Sequence, residues 1–265
     1  MSSKSGKEGI VTDLFEEAHA EGVLSPSSMQ TLTGVDLGAQ IQAGLGISAD
    51  DVQASEVVLL TIMPDDSGSI RQAGNEQVVR EGHNLVLAAM TRSKQGDGVL
   101  AHTRYLNGNV LFPYRPIDQA VPMTSKNYSA NQGTPLYDQS VVLLGSVLAK
   151  AQEFTRNGVV ARSVTLIITD GADAHSLRAT AADVAALVRD MTRSESHIVA
   201  AMGISDGTTD FWAVFREMGI EDRWILTPGN NPSEIRKAFQ VFSQSAVRAS
   251  QAASFSAGTI SGFTN

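Results

Sequence analysis

The chain has no cysteine among its 265 residues. That excludes a disulfide framework, a thiolate metal site and a cysteine nucleophile, and it suits a reducing compartment. A dense cluster of Lys and Arg is also missing, and the formal net charge is −8. Nucleic-acid binding depends on neutralising phosphates and is therefore disfavoured. No stretch approaches the roughly 18 uninterrupted apolar residues of a membrane span, so no membrane insertion is expected. The opening MSSKSGKEGIVTDLFEEAHAEG lacks the apolar core of a secretory signal, and the expected setting is cytoplasmic. Neither nucleotide-binding glycine motif is present. The run Gly203–Gly207 has neither spacing and reads as a strand-to-helix loop. Of His19, His83, His102, His175 and His197, no two stand four apart, so there is no zinc helix.

What is present reads as globular: 42% hydrophobic and 18% charged residues. The length suits one α/β domain of about 200 residues plus an extension. Residues 1–55 form that extension, partly helical. Residues 1–9 are expected to be disordered, Ile10 to Glu21 a short amphipathic helix, and Val35, Leu37, Ile41 and Leu45 mark one or two further helices. From Glu56 the pattern alternates. Buried strands are predicted at Glu56–Met63, Ser163–Ile168 and His197–Gly203, with a short one at Arg223–Thr227. Helices are predicted at Gln72–Arg92, Pro135–Arg156, Ser176–Arg193, Thr209–Met218 and Pro232–Ala249. Val99–Leu106 and Asn109–Tyr114 flank Asn107-Gly108, a hairpin signal. The fold class is thus α/β: a doubly wound, mostly parallel sheet with one antiparallel edge strand and helices on both faces. The core domain is 56–249, and 250–265 reads as a flexible tail.

In such sheets ligands sit at the carboxyl ends of strands. Asp65, Ser67 and Ser69 follow the first strand, Thr134 precedes a helix, and Asp170 ends the strand SVTLIIT. These are hard oxygen donors suited to Mg²⁺, Mn²⁺ or Ca²⁺. Two carboxylates and three hydroxyls make a weakly charged set that leaves room for an external acidic ligand. Each residue alone is more often a cap or a turn.

Together, D-x-S-x-S after a buried strand, G-T-P-L before a long helix and I-T-D-G after a later strand resemble the metal-ion-dependent adhesion site of von Willebrand factor A-type (VWA) domains, across residues 56–248. The resemblance implies a non-enzymatic, cation-dependent protein-binding module. Ser67, Ser69 and Thr134 would contact the metal through hydroxyls, and Asp65 and Asp170 directly or through water. A partner's acidic side chain would complete the shell. The ending AFQVFSQSAVRASQ is similar to bacterial intracellular VWA proteins of tellurite-resistance (TerY-like) clusters, which implies a scaffold complex, sometimes beside an AAA+ ATPase. Two departures stand out: Pro64 at the strand end and Asp66 at a free position, where it is expected to face solvent. A permanent structural subunit and, less favoured, a metal-dependent hydrolase are the alternatives. A dehalogenase-type phosphatase would need an acid where Ser67 stands, and a receiver domain would need a lysine after HIVAAMG. His175, five residues after Asp170, reads first as a solvated loop residue, with a place behind the metal ligands or at their rim as the alternative. Trp212 and Trp224 read as packing residues, and Tyr128 and Tyr137, near Thr134 in sequence, either line the metal face or are structural loop residues.

Overall fold

Glu56–Met63 forms β1 because an unbroken apolar run has no face to turn to water. Its residues alternate between the two sides of the sheet. Val57 and Leu59 join Leu100, Tyr114 and Phe154, while Val58, Leu60 and Ile62 join the larger core. The computed structural model describes residues 3–34, 37–93, 98–252, 255 and 261–263. Val35, one of the apolar positions of the extension, lies outside them.

The helices before β1 are α1 (Ser3–Ala20), α2 (Pro26–Thr33) and α3 (Gly38–Leu45). After β1 come α4 (Gly68–Gln72), α5 (Glu76–Thr91) and the hairpin of β2 (Val99–Arg104) and β3 (Val110–Pro116). Then follow α6 (Leu136–Arg156), β4 (Val160–Thr169), α7 (Ala181–Arg193) and β5 (His197–Gly203). The chain continues through α8 (Phe211–Glu217), β6 (Ile225–Leu226) and α9 (Pro232–Ser250). The sheet order is β3-β2-β1-β4-β5-β6. All pairings are parallel except β2 with β3, and helices cover both faces. Chain order reverses between β1 and β4, which opens a crevice at their carboxyl ends.

Several segments differ from the sequence expectation, among them three helices and the tail. The helix expected from Gln72 is two helices, because Gly74 sits at φ 74° and breaks the ladder. The helix expected from Ser176 begins only at Ala181, where Thr180 and Asp183 form a capping box. The first helix starts at Ser3 rather than Ile10. In the tail, Phe255 is buried and Phe263 packs edge-on against Trp224, ring centroids 5.3 Å apart.

The N-terminal helices lie over α6, α7 and the edge strand β3. They bury Val11, Leu14, Phe15, Leu32 and Ile41, each contributing roughly 1.5–3 kcal/mol of gross hydrophobic stabilisation. The close approach needs Gly145, where a Cβ would stand 2.9 Å from both Ile41 and Leu32. Of the two tryptophans, Trp224 is buried as expected, but Trp212 is 37% exposed with the Arg216 guanidinium over its ring.

On the other face α5 packs against α9. At Gly82 a Cβ would overlap the Phe239 ring at 2.1 Å. Helix propensity alone would make Gly82→Ala stabilising by about 1 kcal/mol. Overpacking should reverse the sign, with a loss of roughly 1–3 kcal/mol in urea unfolding. A gain in stability would show that this helix pair is loosely packed.

Candidate metal centre

The site is set by strand register. β1 and β4 run parallel with Met63 beside Ile167, so two residues on Asp65 comes level with Thr169. The Thr169 hydroxyl donates to Asp65 Oδ2 at 2.9 Å and the Asp170 amide donates to the same oxygen at 3.2 Å. The Ser67 amide donates to Asp65 Oδ1 at 2.6 Å. Beneath, the Tyr128 hydroxyl donates to the Asp65 carbonyl at 2.5 Å. Pro64 is tolerated because only its carbonyl is needed, accepting from the Leu106 amide at 3.1 Å.

Ser67 and Ser69 converge on Asp170. The Ser69 hydroxyl donates to Asp170 Oδ1 at 2.6 Å, and Ser67 Oγ lies 3.3 Å from that oxygen and 2.8 Å from Ser69 Oγ. Ser67 is the N-cap of α4, yet its side chain makes no capping bond. A cap-and-turn role therefore does not account for this hydroxyl. Asp65, Ser67 and Asp170 are buried, whereas Ser69 is exposed and marks the mouth of the site.

Thr134 arrives by backbone rather than by side-chain contact. The Gln132 amide donates to the Asp66 carbonyl and the Gly68 amide to the Gln132 carbonyl, both at 3.0 Å. These bonds fasten the Thr134 loop to the Ser67 loop. The Thr134 amide then donates to His175 Nδ1 at 2.8 Å, and the Thr134 carbonyl accepts from Ala174 and His175. Among the described residues the Thr134 hydroxyl has no hydrogen-bond partner, and Pro135, not Thr134, is the N-cap of α6. The structure thus brings Asp65, Ser67, Ser69 and Asp170 into one bonded cluster and holds Thr134 beside it.

Several contributors were not visible as such in the sequence. His175 is a strut: its Nδ1 accepts, which places the ring proton on Nε2. Asp138 accepts from the amides of Leu177, Arg178 and Ala179 at 3.0, 3.1 and 2.7 Å. Asp173 accepts from the Tyr137 amide at 3.2 Å and the Ser176 hydroxyl at 2.5 Å. Together they clamp the loop after β4 to the start of α6. Tyr137 is half-buried beside that loop. Asp66 corrects the expectation of a solvent-facing carboxylate. It is buried and accepts from the Asn107 amide at the hairpin turn, at 3.0 Å. Loop residues that bond across 36 to 41 positions leave no periodic signature. The other four histidines serve structural hydrogen bonds, for example His83 Nε2 with Thr103 Oγ1 at 2.9 Å and His102 Nδ1 with the Phe112 carbonyl at 2.7 Å.

The electrostatics follow from burial. Desolvation raises Asp65 above the usual carboxylate range. Desolvation, then the charge of Asp65, raises Asp170 to about 6. Desolvation raises Asp66 to about 7 against the opposing bond from Asn107. No lysine or arginine pairs with any of the three among the described residues. Nor do three His, Asp or Glu side chains there form a metal-holding group; the available donors are two carboxylates and three hydroxyls. That set fits a hard divalent cation. A serine that donates its proton to Asp170 keeps outward lone pairs, and the buried negative charge has no protein cation to balance it.

No protein-family model matches the chain, and no curated protein matches it in sequence. Solved structures do. The pilus adhesin SpaC from Lactobacillus rhamnosus GG, in its open conformation, superposes with a TM-score of 0.54 at 14% identity, over 74% of this chain and 30% of SpaC. The chain therefore spans under a third of that protein's length. Proximal thread matrix protein 1 from the mussel byssus, in a structure with a zinc-occupied MIDAS motif, gives 0.47 at 15% identity, over 74% of this chain and 47% of that one. The SpRpn10 VWA domain gives 0.45 at 8% identity, over 69% and 93%. Identities this low speak to fold alone. The α/β fold is the one SpaC adopts over the superposed part of its chain.

The raised carboxylates make a pH prediction. A folded state that holds protons the unfolded chain has released loses stability as pH rises. The Asp66 contribution is full below its ordinary 3.8 and is lost as pH passes about 7. Asp66→Asn keeps an acceptor for the Asn107 amide but cannot ionise. Urea melts should show the variant gaining on the wild type by on the order of 1–3 kcal/mol between pH 5 and pH 8. A difference that does not change with pH would refute the burial argument.

Proposed function

We propose that the chain is a divalent-cation-dependent protein-binding module. Its Asp65, Ser67, Ser69, Thr134 and Asp170 hold Mg²⁺ (or Mn²⁺ or Ca²⁺), and an Asp or Glu side chain of another protein completes the shell. The observation that carries this reading is the bonded cluster of buried Asp65, Ser67 and Asp170, with exposed Ser69 at its mouth and no cationic side chain against it. A bound cation supplies a concentrated positive charge that attracts a carboxylate. Within the chain, Asp65 acts as buried charge and buttress, since both its oxygens already accept from protein donors. Asp170 and the hydroxyls are the groups with free capacity. We further place the module in an intracellular bacterial assembly, of tellurite-resistance or AAA+ type. The last turns of α9, AFQVFSQSAVRASQ, support that placement.

Metal and partner are linked, so each tightens the other by the same factor. Titration calorimetry of Mg²⁺ into the wild type should show one ion bound, and into a folded Asp170→Ala variant none. Equal binding by both would remove Asp170 from the site, and no binding by either would leave the reading without its metal. Partner capture that survives EDTA would instead favour a permanent structural subunit.

A further inference from the structure

Among the described residues, Thr134 is the one proposed ligand whose side chain makes no hydrogen bond. Its hydroxyl is therefore aimed by its backbone. Pro135 follows it and disfavours the helical conformation at Thr134. Had α6 begun one residue earlier, the Asp138 amide would pair with the Thr134 carbonyl. That amide donates instead to Ser176 Oγ at 2.9 Å. The Thr134 backbone is left to the loop after β4, which supplies three bonds. The Thr134 amide donates to His175 Nδ1 at 2.8 Å, and its carbonyl accepts from the Ala174 and His175 amides at 3.1 and 3.3 Å.

The His175 ring also lies against Gly133, where a Cβ would stand 3.0 Å from both ring Cγ and Nδ1. Gly133 does not have a positive φ, so glycine serves here to admit the ring. His175 is exposed. Its ring makes one hydrogen bond among the described residues, the bond to Thr134. An exposed ring with one such bond stabilises little else, and its effect falls on the backbone of a single proposed ligand. The ring is carried on a fixed base, because Asp173 and Asp138 fasten the same loop to the start of α6. On the other side Gln132 is anchored to Asp66 and Gly68, two residues short of Thr134 itself.

We propose that His175 is a positioning residue for the cation: its ring, seated on Gly133, sets the Thr134 backbone and so turns the Thr134 hydroxyl to the site. This role depends on the cation site proposed for Asp65, Ser67, Ser69, Thr134 and Asp170, and adds the residue through which one of those ligands is placed. Linkage makes the effect mutual. A cation held through Thr134 tightens the Thr134–His175 contact by the same factor by which that contact tightens the cation. Occupancy of the site should therefore slow hydrogen exchange at the amides of Thr134, Ala174 and His175.

The test is Mg²⁺ titration calorimetry on the full chain, with folding of each variant checked by circular dichroism. Loss of a residue that orients a metal ligand costs about tenfold or more in metal affinity, and His175→Ala should show that loss. His175→Asn, whose carbonyl oxygen can accept from the same amide, should recover most of it. Gly133→Ala, which displaces the ring and removes no donor, should weaken Mg²⁺ binding in the wild type and have little effect once His175 is replaced by Ala. Exchange read by mass spectrometry should slow on adding Mg²⁺ at residues 134 and 174–175 of the wild type, and not in His175→Ala. Undiminished Mg²⁺ affinity in His175→Ala would overturn the role of His175 while leaving the cation site standing. So would a His175→Asn variant as weak as His175→Ala, or a full Gly133→Ala loss in the His175→Ala background. A wild type that binds no Mg²⁺ would remove the cation site and this role with it.

Discussion

Parallel pairing of β1 with β4, in one register, is the constraint on which the rest depends. Met63 beside Ile167 puts Asp65 level with Thr169, and three donors then close on the Asp65 carboxylate. A slip of one residue would turn Asp65 to the other face of the sheet. Both strands are buried on both faces, so a slip would also displace every apolar side chain along them. Core packing therefore specifies the site geometry to within one residue step.

Burial has an electrostatic consequence. Asp65 and Asp170 belong to one bonded cluster, Asp66 is buried beside it against the hairpin, and each of the three is driven toward its neutral form, first by desolvation. Such a cluster is relieved by protons or by a cation. The hydroxyls of Ser67 and Ser69, already turned to Asp170, favour a hard cation, since they offer oxygen lone pairs without adding charge. The choice between proton and cation couples the stability of this end of the sheet to pH and to metal.

Rigidity at the rim comes from the clamp between the loop after β4 and the start of α6. Asp138, Asp173, Ser176 and His175 each hold a backbone amide. Helix N-terminal amides lack intrahelical partners, and here the neighbouring loop supplies them. The same loop carries His175 toward the Asp65–Asp170 cluster.

The sequence by itself determined the strands, their class of sheet and the chemistry of the donors. Unbroken apolar runs such as Glu56–Met63 and His197–Gly203, and the Asn107-Gly108 hairpin, are local signals that burial and turn geometry read directly. The spacing of Asp65, Ser67 and Ser69 after a strand end was legible for the same reason. Only the tertiary structure decided which partners meet. It buried Asp66 against the hairpin, made His175 a strut for Thr134, left Trp212 half in water and packed Phe255 and Phe263 from a tail expected to be loose. These outcomes depend on contacts between segments far apart in the chain, which side-chain periodicity does not encode.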